Sequence, residues 1–348
     1  MSVKTALPTH QVSQDEAVAY ARTLFPQLSA RAFDRLAPVF EHVRIAHRHV
    51  CEPPSWFAEE HTFAERNALY QRWATDLSVE AGRAALDAAD VDAAVVGGLV
   101  FVSTTGLATP SLDARLLDRL GLPARHTHRE SMFGRGCAGG AVGLSQAADR
   151  AQLLGRDRPV LLIVAELCSL TFRRRDASVA NIISTALFAD GVAAAVLSTS
   201  PDAGGPEVLG HDGVTWPDTE ELMGWTFGDD GLAVMLSKSI PQLVRRELRT
   251  SFDDACAAMG IDPIDVRHHL VHPGSAVVLD AVEEALELGP KALHLSRAVL
   301  ADQGNMSAAT VLFILQRFLD GGYGAPGELA VMSALGPGFS AEHVLLRC

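Results

Sequence analysis

Positive charge, cysteine and long apolar runs are the scarce features of this chain. Lysine and arginine number 29 against 42 aspartates and glutamates, a net charge of −13. That excess of acid works against nucleic acid as a partner. There are five cysteines, an odd number without a repeating spacing, which argues against a disulfide framework. No apolar run approaches the roughly 18 residues of a membrane span. The opening Met1-Ser2-Val3-Lys4-Thr5 leads into polar residues with no signal-like apolar core, so a cytoplasmic protein without membrane insertion is expected. What the chain does have is 48% hydrophobic residues over 348 positions, enough to bury one large core or two similar ones.

Periodicity divides the chain. Residues up to about 90 read as helical, and Thr62-Phe63-Ala64-Glu65 is a capping box opening a long amphipathic stretch through Leu69, Trp73 and Leu77. Short apolar runs at 93–102, 159–165 and 192–198 then read as buried strands. Residues 200–206, Ser-Pro-Asp-Ala-Gly-Gly-Pro, form the best boundary. Beyond it a helix is expected over 241–259, with strands at 268–271, 309–315, 329–333 and 343–347. Pattern alone therefore indicates an α/β protein with several buried strands.

Three glycine-rich turns carry the chemistry. They are Gly134-Arg135-Gly136-Cys137-Ala138-Gly139-Gly140, His272-Pro273-Gly274-Ser275 and Gly304-Asn305-Met306-Ser307. A thiolate holds an acyl group as a thioester, and imidazole and carboxamide donors can stabilise the oxyanion or enolate formed when a thioester is attacked or a malonyl unit loses carbon dioxide. Leu144, Ala147, Ala148, Ala151 and Leu154 place a helix after Cys137, ending before Gly155. The sulfur then sits near a helix N-terminus, where the dipole and a nearby His272 are expected to lower its pKa. Other readings stand beside this one. Cys137 fits a small core residue, as do Cys51, Cys256 and Cys348, and Asn305 fits a turn. His268 and His272, or His47 and His49 with Cys51, suggest a metal cluster, but further ligands are not evident and no metal is expected. Gly134, Gly136 and Gly139 spell a dinucleotide fingerprint, yet no acidic residue sits about twenty positions on at the end of a second strand, as the ribose contact requires, so that reading fails.

With these motifs and with Phe101-Val102-Ser103-Thr104-Thr105-Gly106, Ala165-Glu166-Leu167-Cys168-Ser169-Leu170-Thr171-Phe172, Ala186-Leu187-Phe188-Ala189-Asp190-Gly191 and Gly336-Pro337-Gly338, the chain resembles the type III polyketide synthases. These are the chalcone-synthase-like branch of the thiolase superfamily, and the likeness covers nearly the whole sequence. It implies a thiolase-like α/β fold of two pseudo-duplicated halves in α-β-α-β-α layers. Residues 1–200 would carry the nucleophile Cys137, and residues 201–348 would carry His272 and Asn305. It implies acyl-CoA and malonyl-CoA as substrates, no cofactor, and a homodimer. Cys137 would hold the starter, while His272 and Asn305 would promote decarboxylation of malonyl-CoA and stabilise the attacking enolate.

The same resemblance assigns a pocket. Phe188 matches a gatekeeper phenylalanine, and Val234 falls where plant members carry a second one. Thr104, Cys168, Thr171, Gly224, Ser307, Gly336, Pro337 and Gly338 match pocket positions. Thr109 falls where plant members place a methionine that crosses into the partner's cavity. Cys168 replaces a plant threonine, as in bacterial members including naphthalene-forming ones. Met223-Gly224-Trp225 is similar to bacterial alkylpyrone and alkylresorcinol synthases. A long-chain acyl starter giving an alkylpyrone or alkylresorcinol is therefore expected, with a malonyl-primed tetrahydroxynaphthalene synthase as the alternative. The ketoacyl carrier protein synthases that initiate fatty acid synthesis share the trio but carry their histidine in a His-Gln-Ala-Asn context. Because coenzyme A is polyanionic, a local basic mouth is expected, with Arg31, Arg35, Arg44 and Arg48 as candidates on an N-terminal helical face.

Overall fold

The computed structural model describes residues 1–348. The chain opens with β1 (Ser2–Ala6) and β2 (His10–Ser13), and Ser13 caps α1 (Gln14–Leu24) in a capping box with Glu16. Helices α2 (Ala30–Leu36) and α3 (Pro38–His42) lead into β3 (His47–Val50), which pairs antiparallel with β2. After α4 (Pro54–Phe57), α5 (Phe63–Ala88) begins at the Thr62–Glu65 capping box read from the sequence. Then follow β4 (Gly98–Val102), α6 (Leu112–Leu120), β5 (His128–Met132), α7 (Gly139–Leu154), β6 (Val160–Leu167), α8 (Val179–Leu187) and β7 (Asp190–Leu197). The remainder is β8 (Glu207–Thr215), the hairpin β9 (Met223–Gly228) and β10 (Gly231–Leu236), α9 (Ile240–Ala258), β11 (Val266–Val271), α10 (Ala276–Ala285), α11 (His294–Gln303), α12 (Thr310–Asp320), β12 (Leu329–Gly336) and β13 (Ser340–Arg347).

Two sheets organise these elements. The first runs β1-β7-β6-β4-β5 and the second β11-β12-β13-β8. Read as β1-β7-β6-β4 and β8-β13-β12-β11, both repeat one sequence of senses: antiparallel, antiparallel, parallel. Side-chain alternation on the fully buried strands then builds the layers. Leu99 and Phe101 face α5 and α6, while Val100 and Val102 face α7. On the other sheet Ala330 and Met332 join that same central core, and Val331 and Leu335 face α9 and α10. Helices α7 and α12 thus lie between the sheets in an α-β-α-β-α stack.

The structure revises several expectations. Residues 309–315 form a 3₁₀ turn and the first part of α12, not a strand. A helix sandwiched between two sheets is apolar all round, and Val311 through Leu315 are all buried. Over seven residues such a run has the composition of a buried strand. The N-terminal region also contains β1, β2 and β3 besides its helices. Residues 93–95 make a 3₁₀ turn ahead of β4. The edge strand β8, interrupted in pattern by Gly210, Asp212 and Gly213, and the β9–β10 hairpin were not legible as strands. The hairpin's signal was an Asp229-Asp230-Gly231 turn between two runs of alternating character.

Candidate active site

Cys137 lies in a 3₁₀ turn, Gly136–Ala138, that runs directly into α7. The glycines around it serve close packing. Gly136 has φ +46° and its missing Cβ leaves room for Pro337, whose Cδ would otherwise be 2.7 Å away. Gly140 lies against the carbonyl of Ala308, where a Cβ would collide. These contacts press the Cys137 turn against the Ser307 and Pro337 turns. Cys137 Sγ stands 3.7 Å from Ser307 Oγ, close enough for a weak hydrogen bond.

Asn305 is held from both ends of its amide. Its Nδ2 donates to the Gly274 carbonyl at 3.0 Å and its Oδ1 accepts from Ser307 N at 2.8 Å. The backbone bridges to the end of α8, with Asn305 N donating to Leu187 O at 3.1 Å and Ala189 N donating to Asn305 O at 2.9 Å. His272 leaves the end of β11, its N–H bonded to Ser333 O at 2.8 Å. It is 2% exposed, and neither ring nitrogen has a hydrogen-bond partner.

Burial governs the electrostatics. It pushes the Cys137 thiol up to about 12 and the His272 imidazole down to about 3, so the expected lowering of the thiol pKa is not found in the free protein. A lone charge on either group would lose most of its hydration. Glu166, which the motif reading left without a role, sits behind the turn, and burial raises its carboxyl to about 8. It accepts from Thr104 N at 3.1 Å, while Thr104 Oγ1 accepts from Gly136 N at 3.1 Å. That chain of bonds ties β6 to the Cys137 turn.

Two cavities meet here. One, partly open to solvent, is lined by Cys137, Asn305, Ser307, Gly274, Pro337 and the hairpin residues Met223, Gly224, Met235 and Leu236. A second, also half open, has 11 hydrophobic residues among its 18 lining ones; Cys168, Thr171, Phe172, Phe57, Leu24 and Tyr20 are among its walls. Phe188, Trp225 and Val234 line both, and the Phe188 and Trp225 rings stand 6.5 Å apart. The pocket residues thus fall into two groups. Gly224, Ser307 and Pro337 line the first cavity, and Cys168 and Thr171 the second. Thr104 lies behind the cysteine. Gly336 and Gly338 flank Pro337 without lining either cavity, and Thr109 is exposed on a loop away from both.

Of the basic candidates, Arg31 and Arg35 are exposed on α2, and Arg44 pairs with Asp280 at 3.6 Å. Arg48 is neither helical nor exposed. It lies on β3, 3% exposed, among backbone carbonyls. His268 pairs with Glu328 at 2.9 Å, and His49 Nδ1 bonds to Pro8 O. No three histidine, cysteine or acidic side chains gather in a metal-binding group.

A thiolase-like pair of sheets whose turns bring a buried cysteine and asparagine to one cavity, with a buried histidine on an adjoining loop, defines a class of enzymes that transfer acyl groups. The models for the N- and C-terminal domains of chalcone and stilbene synthases match residues 1–201 and 213–348. The chain belongs to that family, the type III polyketide synthases. It is 41% identical over 353 residues to a 1,3,6,8-tetrahydroxynaphthalene synthase of Streptomyces peucetius subsp. caesius, covering 99% of this chain and 92% of that one. To a phloroglucinol synthase of Pseudomonas fluorescens (strain Pf-5) it is 28% identical over 342 residues, covering 96% and 95%. The crystal structure of 1,3,6,8-tetrahydroxynaphthalene synthase from Streptomyces coelicolor A3(2), a bacterial type III polyketide synthase, superposes with a TM-score of 0.93. That match is at 27% identity and covers 99% of this chain and 98% of that one.

Proposed function

We propose that the protein condenses malonyl-CoA iteratively onto a long-chain acyl-CoA starter and releases an alkylpyrone or alkylresorcinol. The observation that carries this reading is the half-open, mainly apolar pocket that adjoins the catalytic one and shares Phe188, Trp225 and Val234 with it as walls. An alkyl chain needs mainly apolar walls, and hydrophobic residues make up the greater part of these.

In this reading Cys137 attacks the starter thioester, coenzyme A departs as the thiol, and the acyl group remains on sulfur. Burial favours neither a lone thiolate nor a lone imidazolium here. The thiol proton passes to His272, whose ring nitrogens have no competing partner, the paired charges offset each other's burial, and the imidazolium then protonates the departing coenzyme A thiolate. Malonyl-CoA then loses carbon dioxide, and the enolate oxygen accepts hydrogen bonds from His272 and from the second Nδ2 hydrogen of Asn305. The enolate carbon attacks the Cys137 thioester, the acyl carbon–sulfur bond breaks, and the Cys137 thiolate is released for the next round. Coenzyme A thioesters are the only small molecules the cycle uses. Arg31 and Arg35, which form no ion pair, are left to meet the coenzyme A phosphates.

A second reading is supported by the 41% identical tetrahydroxynaphthalene synthase and by Cys168: priming by malonyl-CoA itself and closure to tetrahydroxynaphthalene. Incubating the protein with malonyl-CoA and starters from acetyl- to stearoyl-CoA, with products read by mass spectrometry, separates the two. Alkylated products that grow with the starter are expected. An aromatic pentaketide from malonyl-CoA alone would overturn the alkyl reading.

A further inference from the structure

We propose that Arg48 is a positioning residue for starter selection: it holds the C-terminal carbonyls of α8 so that Phe188 stands at the junction of the two cavities, next to the backbone that carries Asn305. The inference rests on the reading that acyl chains extend through that junction.

Arg48 is a buried cation without a carboxylate partner, and burial alone accounts for the lowering of its pKa. Its four terminal N–H groups meet oxygens instead. Nη1 donates to Thr185 O at 2.8 Å and Phe188 O at 3.3 Å, and Nη2 donates to Ala186 O at 2.7 Å and to the Gln14 side-chain oxygen. Gln14 is itself anchored, its amide donating to Phe40 O and its backbone N–H to Ala46 O at 2.9 Å.

A helix leaves its last carbonyls unpaired, with a partial negative charge that favours a cation. At α8 each one is taken. Phe188 N donates to Ser184 O at 2.8 Å, Arg48 takes Thr185 and Ala186, and Asn305 N takes Leu187. The residue at the cavity junction and the asparagine of the catalytic cavity are thus secured by one four-residue knot. Phe188 leaves the helix in an extended conformation, φ −80° and ψ 153°. Arg48 also packs beneath Gly304, the residue before Asn305. A planar guanidinium can bridge three carbonyls on diverging directions, which a lysine ammonium on a flexible stem does poorly. Arg48 lines only the larger cavity, so it acts on the reaction through Phe188 and not by touching the reacting atoms.

The test measures the rate at which acyl-CoAs from C2 to C18 load Cys137, read as acyl-enzyme mass, in wild type, Arg48→Met, Arg48→Lys, Gln14→Leu, Phe188→Leu and the Arg48→Met/Phe188→Leu double variant. Arg48→Met is expected to change the long- to short-chain loading ratio by about tenfold, the effect of roughly one lost hydrogen bond on a barrier. Arg48→Lys should be intermediate. In the Phe188→Leu background Arg48→Met should change the ratio little further, because the ring it positions is gone. A wild-type length profile in Arg48→Met, even with a lowered melting temperature, overturns the proposal. So does an equal effect in both backgrounds. If Arg48→Met does not fold, Gln14→Leu carries the test: a smaller shift in the same direction as Phe188→Leu supports the role, and an unchanged profile sinks it. The wild-type preference alone judges the long-chain reading, whereas the change on substitution judges Arg48.

Discussion

Cys137 and Asn305 line one cavity and His272 is buried on the adjoining loop, where burial opposes an unpaired charge on the thiol or the imidazole. Replacing Cys137 by Ala should abolish starter loading and product while leaving part of the malonyl-CoA decarboxylation, because enolate stabilisation needs no thiol. Asn305→Ala should slow decarboxylation by roughly a hundred- to a thousandfold, the usual cost of one oxyanion donor, and impair loading less. Decarboxylation assays with labelled malonyl-CoA beside acyl-enzyme mass spectra check both; full-length product from Cys137→Ala would remove it as nucleophile. At this scale the residue types and their turns were legible. Arg48 was not, because a strand residue whose guanidinium meets only backbone carbonyls leaves no partner in the sequence to find.

Among the elements, the β9–β10 hairpin decides pocket shape. It contributes Gly224 and Trp225 on one strand and Val234, Met235 and Leu236 on the other, and Val234 pairs with Trp225 in register. Val234→Phe should shorten the accepted starter, since it adds volume where both cavities meet and the close-packed wall cannot yield cheaply. Competition between hexanoyl- and palmitoyl-CoA measures this, and an unchanged preference would remove Val234 from the selecting wall. Gly224 is a poorer probe: at φ +154° any side chain is strained, and its Cβ would meet Met235 Cε at 3.3 Å. The hairpin carries no clear strand pattern in the sequence because its strands are largely half-exposed and mixed in character. The long helix α5 carries a clear helical one, since a capping box and a sustained 3.6-residue period agree.

For the whole molecule, buried titratable groups set the pH range of stability. Burial lowers His269 and His343 to about 4 and His272 to about 3 from 6.5. The unfolded chain therefore takes up protons first as pH falls below 6.5, and stability is lost down to about pH 3. Glu166 acts in the opposite sense. Raised from 4.5 to about 8, it keeps a proton that the unfolded chain releases, so its contribution declines as pH rises from 4.5 to 8. Thermal melts should peak between these limits, and Glu166→Gln should flatten the decline from pH 6.5 to 8 while keeping the acceptor for Thr104 N. An identical slope in that variant would assign the decline elsewhere. The open edge of β5 and the exposed Thr109 loop lead us to propose a homodimer in which Thr109 approaches the partner's cavity. Sedimentation should give twice the chain mass, and Thr109→Trp should alter product length; a fully active monomer would end both claims.

The amino-acid sequence by itself determined the α/β class, the helix behind Cys137 and the three glycine-rich turns with their reactive residue types, because capping, glycine punctuation and residue type are local properties. Only the tertiary structure decided that residues 309–315 are helical, since an all-apolar run takes its form from what surrounds it, here a sheet on either side. It alone also placed the cavity junction at Phe188, Trp225 and Val234, and the knot beneath it at Arg48. These join residues up to 186 positions apart, and such contacts come from how two sheets stack, which no short-range pattern records.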